Sequence, residues 1–243
     1  MIYPLGKLKE KVNKKEAVFL GSGPSINNIT KEQQEKLKQY DLWSSNSWIA
    51  HKTIIPDFYH LEVKAHRNGK FAERMLKEKA EQYKDVNWIL DNTRPYLLNY
   101  VKPELYENIY VYNKQHRNSN SGKYKVTEQI VGVSCSASLT CILDVMIKMG
   151  YEKIYLIGVD LKSGEYFWTD NPEYDDVGIP DIIQSCKPDE RSKNDIHSTA
   201  ERGIHNFIAE LGETNNVEMI NLSDTSLLKN TIKSMTLQEF CNV

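Results

Sequence analysis

Short apolar runs alternate along the chain with longer stretches that carry apolar residues at helical spacing. The short runs predict buried strands, and the longer stretches predict helices that cover them. This alternation is typical of a mostly parallel sheet flanked by helices, so the sequence predicts an α/β fold. The predicted strands span residues 17–20, 41–44, 58–61, 86–90, 109–112, 154–157 and 217–222.

The clearest predicted unit runs from residue 134 to residue 160. Ser136 is expected to cap a helix with one apolar stripe, Gly150 ends that helix, and a buried strand follows. The polar stretch 113–125 is interpreted as a mobile loop. The other predicted helices cover residues 31–39, 70–83 and 199–211. Ser198 is expected to cap the last of these. A further short helix is predicted in the charged segment before residue 17.

Between residues 161 and 196 the sequence turns acidic and aromatic and loses its periodicity. This stretch is too long for an ordinary connection, so we predict one domain over residues 1–243 with a lid inserted at 161–196. Within the lid, Tyr166-Phe167-Trp168 either packs over a ligand or anchors the lid to the body of the protein.

Composition excludes several classes of protein. The 243 residues carry a net charge of −2, which argues against a general nucleic-acid binder. No apolar run has the length of a membrane span, and the N-terminus lacks a secretion signal, so we expect a cytoplasmic protein. The four cysteines form no CxxC pair and are expected to be reduced thiols outside any zinc site. They are Cys135, Cys141, Cys186 and Cys241.

Polar turns follow the first two predicted strands. Gly21-Ser22-Gly23-Pro24-Ser25 comes after the first strand, where backbone N–H groups and a hydroxyl can receive a phosphate or nucleotide. The turn lacks GxGxxG spacing and the P-loop lysine, which argues against binding of a nicotinamide cofactor and against ATP hydrolysis. A tight turn that binds no ligand explains these residues equally well. Asn46, after the second strand, is either a further site residue or a turn residue.

His197, just before the predicted helix 199–211, is the best candidate for acid or base chemistry, because imidazole titrates near neutral pH. A cap or packing residue is the alternative, and His205 on the same helix is its rival. The chain has no HExxH and no DxD motif, and Asp175-Asp176 fits a solvated acidic stretch. We therefore expect chemistry that needs no metal.

Six features follow one another along the chain: GSGPS, SNS, the run SASLTCILDVMIKMGYEKIYLIGVDL, the lid with its tyrosine, the IHS junction and NLSDTSLLKN. Taken in this order, they resemble the bacterial CMP-sialic-acid-dependent sialyltransferases of glycosyltransferase family 42. The resemblance spans residues 17–233 and is strongest at 150–161 and at Ser226-Leu227-Leu228. A broader resemblance links the chain to motility-accessory-factor glycosyltransferases and to pterin diphosphokinases.

The resemblance implies a Rossmann-like domain, a variant of the GT-A fold. It also implies metal-independent, inverting transfer of a sialic-acid-type sugar from a CMP-sugar to a hydroxyl of a surface glycan or glycolipid precursor, as in lipopolysaccharide or capsule biosynthesis. In this scheme His197 is the general base, while Tyr166 and Lys162 stabilise the departing phosphate. The implied nucleotide and donor contacts are Gly21, Ser22, Gly23, Ser25, Asn46, His60, Ser136, Ser138, Gly158 and Asp160.

The chain departs from the family at four positions. Ser22 replaces Asn, Cys135 replaces Arg, Leu139 replaces Gly, and Lys162 replaces the second phosphate-stabilising Tyr. His60 stands where a donor-contacting Asn is expected and is either a site residue or a strand-end side chain. Two alternatives therefore stay open, a pterin or nucleotide diphosphokinase and a catalytically inactive nucleotide-sugar-binding protein. The resemblance also leaves open peripheral association with the inner face of a membrane and a homo-oligomeric state.

Overall fold

A computed structural model describes residues 1–62, 65–116, 124–126, 131–134, 137–161, 166–177 and 203–242. In this part of the chain ten strands form one sheet, and every pairing between them is parallel. The strands are β1 Ile2–Pro4, β2 Glu16–Leu20, β3 Asp41–Ser45, β4 Phe58–Leu61, β5 Asn87–Asp91, β6 Ile109–His116, β7 Val131–Ser134, β8 Lys153–Ile157, β9 Glu218–Asn221 and β10 Lys233–Ser234.

The strand order is β1-β6-β5-β4-β3-β2-β8-β9-β10, and β7 pairs with the last residues of β6. From β2 the chain winds outward through β3, β4, β5 and β6. It then returns to the other side of β2, where β8, β9 and β10 follow. The winding direction therefore reverses between β2 and β8, and in open parallel sheets such a reversal opens a crevice at the carboxyl ends of the two strands.

Helices cover both faces of the sheet. The α-helices are α1 Lys31–Leu37, α2 Ala65–Glu78, α3 Ser138–Met149, α4 Ile204–Asn215 and α5 Leu237–Cys241. Short 3₁₀ helices span Leu5–Lys11, Pro24–Asn28, Asn46–Ala50, Pro95–Asn99, Pro172–Val177 and Leu227–Asn230. None of the helices in these described segments is long and apolar enough to cross a membrane.

The core consists of two layers, one on each face of the sheet. In β2, Val18 and Leu20 contribute to the layer under α1, α2 and α5, whereas Ala17 and Phe19 contribute to the layer under α3 and α4. This alternation follows from the two-residue period of a strand. Because helices cover both faces of the sheet, the residues of β2 form a nearly continuous apolar run in the sequence.

The predicted α/β fold is confirmed, and so is each predicted strand to within a few residues at its ends. Three short strands, β1, β7 and β10, were not predicted. Residues 113–116, expected in a mobile loop, extend β6 instead and pair with β7. For residues 113–116 the prediction was wrong, because the segment is polar and its pairing partner lies too far along the chain for a local pattern to reveal it. Residues 117–123 of the predicted loop lie outside the described residues.

Helix boundaries required further corrections. Helix α2 lies several residues earlier than the predicted 70–83, and residues 79–83 form turns. Helix α3 has Ala137 at its N-cap, so Ser136 does not cap it. Helix α4 follows Gly203, whose φ of 63° is left-handed, and the predicted start at residue 199 lies outside the described residues. Ser136 and Ser198 themselves lie outside the described residues.

The expected stop of α3 at Gly150 is confirmed. Gly150 has a φ of 96° and donates its N–H to the Ile147 carbonyl at 3.0 Å. The left-handed backbone favours glycine at this C-terminal position. The apolar stripe of α3 is buried as the sequence predicted, and its members Ile142, Val145 and Met146 are at most 1% exposed.

Replacing one buried residue of α3 tests this packing. We expect Ile142→Ala to lower the free energy of unfolding by about 2 to 5 kcal/mol, because it removes buried methylenes and leaves a cavity. Ile147→Ala is the matched control, since Ile147 lies on the same helix but is only partly buried. Urea denaturation of both variants measures the difference. If both variants lose the same free energy of unfolding, the assignment of Ile142 to the buried face of α3 is contradicted.

Candidate functional site

The turns after β2 and β8 approach each other so closely that only glycine fits. Gly21 donates its N–H to the Ile157 carbonyl at 2.7 Å, and Gly23 donates to the Gly158 carbonyl at 2.7 Å. A Cβ atom on Gly21 would collide with the Gly158 carbonyl, and one on Gly158 would collide with the Gly21 carbonyl. Gly158 also has a φ of 70°. The glycines at the point where the winding reverses are therefore sterically required.

Asp160 connects the turn after β2 to the segment that follows β9. Its Oδ2 accepts a hydrogen bond from the Ser25 N–H at 3.0 Å, and its Oδ1 accepts one from the Thr225 hydroxyl at 3.2 Å. A Cβ on Gly23 would collide with this carboxylate. Asp160 thus holds three loops together, and each of its oxygens keeps a second lone pair that can accept a hydrogen bond from a ligand.

The segment after β9 contributes two serines that the sequence analysis did not assign to the site. Ser223 Oγ accepts from the Gly158 N–H at 3.0 Å and lies 3.0 Å from Ser25 Oγ. Ser226 Oγ donates to the Val159 carbonyl at 2.5 Å. Their position directly after the last predicted strand was the signal that could have identified them.

The hydrogen bonds of the glycine turn modify the phosphate-binding interpretation. The N–H groups of Gly21, Gly23, Ser25 and Gly158 all donate within the protein. These four groups are therefore not free to hold a phosphate. A phosphate at this turn would therefore need donors other than these four N–H groups.

Part of the predicted lid is described and packs against this turn. Phe167 donates its N–H to the Ser22 carbonyl at 3.0 Å, and Asn27 Nδ2 donates to the Phe167 carbonyl at 2.8 Å. Phe167 and Trp168 are buried, and Phe167 packs edge-on against Trp48. These two aromatic residues therefore anchor the segment to the body of the protein.

Tyr166 is the exception among the three aromatic residues of this segment. It is only partly buried, and its ring stacks on Trp168 with the centroids 4.4 Å apart. Tyr166 directly precedes the residue that bonds to Ser22, so it lies near the glycine turn. At the far end of the segment, Asp176 is exposed and pairs with Lys52 at 2.8 Å, as expected of a solvated acidic stretch.

A second polar group lies at the carboxyl ends of β3 and β4. Asn46 Oδ1 accepts from the Glu62 N–H at 2.7 Å, and Ser138 donates its hydroxyl to Glu62 Oε2 at 2.6 Å. Asn46 has a φ of 51°, a left-handed conformation that asparagine tolerates better than most residues. The structure therefore brings the predicted residues Asn46 and Ser138 together through Glu62.

Three further charged residues complete this group. Lys114 forms an ion pair with Glu62, and Arg94 Nη1 lies 2.9 Å from Glu62 Oε1. Arg94 also pairs with Asp91, Nε to Oδ2 at 3.5 Å. Sequence analysis missed all three, although Asp91 ends a strand. Lys114 was missed because residues 113–116 were expected to form a loop.

The ion pairs keep Glu62 charged. Burial by itself raises the pKa of Glu62, but attraction from His60 and Lys114 and hydrogen bonds from Lys114 and Ser138 lower it to about 2. The pKa of His60 is itself about 4, so His60 is neutral at pH 7. Lys114 is therefore the partner that stabilises the Glu62 carboxylate under neutral conditions.

His60 lies inside the sheet rather than on an open surface. It is 1% exposed, and its Nε2 lies 2.6 Å from the Tyr112 hydroxyl. The Cys141 thiol donates a hydrogen bond to the same hydroxyl. Burial, as the largest effect, lowers the pKa of His60 to about 4. These contacts fit the strand-end alternative for His60, and a contact with the donor stays a prediction.

Three of the remaining predicted site residues lie outside the described residues, namely Lys162, His197 and Ser136. The rival His205 is the second residue of α4 and is partly buried. In the described part of the chain, no three His, Cys, Asp or Glu side chains are grouped so as to hold a metal ion. Cys141 is a buried free thiol there.

Comparison with known proteins identifies the fold of this chain but does not assign the chain to a family. No family model matches the chain, and no curated protein matches it. The monofunctional alpha-2,3-sialyltransferase Cst-I from Campylobacter jejuni is similar in structure, with a TM-score of 0.51 and 15% sequence identity over 93% of this chain and 83% of that chain.

Two further solved structures are similar. The MAf glycosyltransferase from Magnetospirillum magneticum AMB-1 has a TM-score of 0.50 and 18% identity, over 93% of this chain but 34% of that one. The sialyltransferase CST-II, in complex with a trisaccharide acceptor and CMP, has a TM-score of 0.48 and 18% identity, over 90% of this chain and 86% of that one.

At these identities the likeness shows the fold alone. It confirms the Rossmann-like α/β fold, and the resemblance that the motifs predicted is confirmed at the level of structure. The class that fold and site define is a Rossmann-like domain with a polar site along the carboxyl edge of its sheet.

Two buried histidines predict sensitivity to acid. His51 Nδ1 accepts from the Ile54 N–H at 3.1 Å, and burial followed by the charge of Lys79 lowers the pKa of His51 to about 4, as burial does for His60. Below pH 6.5 the unfolded chain binds protons at both histidines, whereas the folded chain does so only near pH 4. Stability should fall by about 2 kcal/mol for each histidine between pH 7.5 and pH 5.

Urea denaturation of wild type, His51→Gln and His60→Gln at these two pH values measures the effect. At pH 7.5 each variant should have a lower free energy of unfolding than wild type. This difference should shrink as the pH falls. A wild-type free energy of unfolding that does not change between pH 7.5 and pH 5 would contradict the assignment.

Proposed function

We propose that the protein is a glycosyltransferase that takes a sugar from a CMP-activated donor and transfers it to a hydroxyl group with inversion and without a metal ion. The observation that carries this proposal is the pair of glycine turns, Gly21 to Gly23 and Gly158, at the point where the sheet reverses its winding. Ligands of open α/β sheets bind in the crevice at such a point.

The nucleotide is proposed to lie along the turns after β2 and β8. Carbonyl and hydroxyl oxygens dominate there, with Ser25, Ser223 and the second lone pairs of Asp160 able to accept hydrogen bonds from ribose or base. Tyr166, next to the turn, and Lys162 are proposed to stabilise the charge on the departing phosphate.

The proposed reaction uses His197 as the general base. The bond between the anomeric carbon and the phosphate oxygen breaks, and CMP leaves with the electron pair. The acceptor oxygen forms the new bond to the anomeric carbon from the opposite face, and its proton passes to His197. The resemblance also implies a sialic-acid-type sugar, whose carboxylate needs a positive partner, and a surface glycan or glycolipid acceptor. These finer assignments stay predictions.

Nucleotide binding provides the first test. We expect CMP at 100 times its Kd to raise the melting temperature by about 5 to 10 °C, whereas NAD and ATP with magnesium do not. Asp160→Asn should reduce the CMP-induced shift, and Asp176→Asn, an exposed carboxylate, is the matched control. Stabilisation by ATP with magnesium alone would favour the diphosphokinase, and binding of a CMP-sugar without release of CMP would favour the inactive binder.

The general base provides the second test. His197→Ala should keep CMP binding but lose about 100- to 10,000-fold in transfer rate, because removal of a base acts on the transition state. His205→Ala is the comparison, and EDTA should leave turnover intact. Full transfer activity in His197→Ala would disprove its role, and a loss confined to His205→Ala would move the role to that residue.

A further inference from the structure

One tyrosine hydroxyl in the core reaches the backbone of the candidate site. Tyr59, in β4, is completely buried, and its hydroxyl donates to the Asn46 carbonyl and accepts from the Ile49 N–H at 2.9 Å. These two backbone groups lie three residues apart in the 3₁₀ helix that follows β3, a spacing at which such a helix pairs its own groups. The hydroxyl therefore bridges the first turn after β3.

The core holds the Tyr59 ring in place. The ring packs against Tyr83 with the centroids 5.7 Å apart and against Trp88 with the centroids 5.1 Å apart. Within the sheet, Tyr59 pairs with Ser44 of β3 on one side and with Trp88 of β5 on the other. Burial raises the pKa of Tyr59 well above its usual value, so the hydroxyl keeps the proton that it donates. Tyr59 is thus a fixed anchor for the turn above it.

The backbone of Asn46 needs such an anchor. Its φ of 51° lies in the left-handed region, which asparagine tolerates but which is less favourable than the helical or extended regions. The Tyr59 hydroxyl bonds to its carbonyl, and the Glu62 N–H donates to its Oδ1 at 2.7 Å. Two residues earlier, Ser44 donates its hydroxyl to the Leu20 carbonyl at 2.7 Å, which ties this end of β3 to the end of β2. Asn46 is therefore held beside the glycine turn that follows β2.

These bonds decide which atoms Asn46 offers to a ligand. Because Oδ1 accepts from the Glu62 N–H, the other end of the amide carries two N–H donors, and Nδ2 has no hydrogen-bond partner among the described residues. The side chain is only partly buried. The N–H groups of Gly21, Gly23 and Ser25 are used within the protein, whereas the Asn46 amide can still donate to a phosphate.

We propose that Tyr59 is a positioning residue for the nucleotide: its hydroxyl fixes the backbone of Asn46 so that the Asn46 amide meets the phosphate of CMP. The inference rests on the proposed function, which places a CMP-activated donor at this edge of the sheet. It adds a residue that lies in the core, touches no ligand and acts through Asn46.

Binding of CMP, measured by calorimetric titration, provides the first part of the test. Tyr59→Phe keeps the ring but removes the bridging hydroxyl, and it should weaken CMP binding about fivefold or more. Tyr106→Phe is the matched control, because Tyr106 is also buried against Trp88 and also donates its hydroxyl to a backbone carbonyl, that of Leu76 in α2. This control should bind CMP as wild type does.

A double-mutant cycle separates positioning of Asn46 from a general loosening of the fold. Asn46→Ala should also weaken CMP binding about fivefold or more. Adding Tyr59→Phe to Asn46→Ala should then weaken binding by less than about twofold, because the amide that Tyr59 positions is already absent. A smaller loss in either single variant, a larger further loss in the double variant, or an equal loss in Tyr106→Phe would overturn the inference.

NMR of the Asn46 side-chain amide gives a readout that does not depend on CMP. Its signal, assigned by its disappearance in Asn46→Ala, should shift in Tyr59→Phe and stay in place in Tyr106→Phe. If wild type does not bind CMP, the proposed function fails, and this signal shows separately whether Tyr59 positions Asn46. An unchanged signal in Tyr59→Phe overturns the positioning role in either case.

Circular dichroism shows whether Tyr59→Phe folds. If it does not, wild type decides, because CMP bound to the Asn46 amide should shift both the amide signal and the Tyr59 hydroxyl proton that bonds to the same residue. A hydroxyl proton that does not respond to CMP would then overturn the inference.

Discussion

The contact between the two glycine turns constrains the whole site. Gly21 and Gly158 lie at the ends of adjacent parallel strands, and each would collide with the carbonyl of the other if it carried a Cβ. Their approach lets the Asp160 carboxylate reach the Ser25 N–H and lets Ser223 cap the Gly158 N–H. Three separate connections are thereby held at one edge of the sheet. The donors used in this way are unavailable to a ligand, so the same constraint that shapes the crevice also limits its chemistry.

The other end of the carboxyl edge is organised by charge rather than by steric fit. Glu62 stays ionised there because Lys114 pairs with it and Ser138 donates a hydrogen bond to it, and Arg94 lies beside it. Buried ion pairs contribute little net stability but are costly to break singly, so such a group holds its geometry firmly. The glycine turns and this group of paired charges thus lie at the same carboxyl edge of the sheet.

Local patterns predicted much of this arrangement. The glycine turn and Asn46 were identified because polar residues directly follow apolar runs, and parallel strands place such residues at one edge. Asp160 was named through the family resemblance. Lys114 and Arg94 escaped detection for a physical reason. The partner that they share, Glu62, is remote in sequence, and residues 113–116 continue β6 by pairing with β7. The aromatic run after Tyr166 left two interpretations open, and packing on Trp48 decided for anchoring in the case of Phe167.

The sequence by itself determined the α/β class, seven of the ten described strands and the positions where the chain turns at the sheet edge, because these depend on local periodicity and on the conformational range of glycine. Only the tertiary structure decided which polar groups meet. Whether Gly23 and Ser25 offer their N–H groups to a ligand or to the protein depends on Gly158 and Asp160, far along the chain. Whether Lys114 is a free cation depends on Glu62. Hydrogen bonds and ion pairs act over a few ångströms in space, and sequence separation carries little information about that distance.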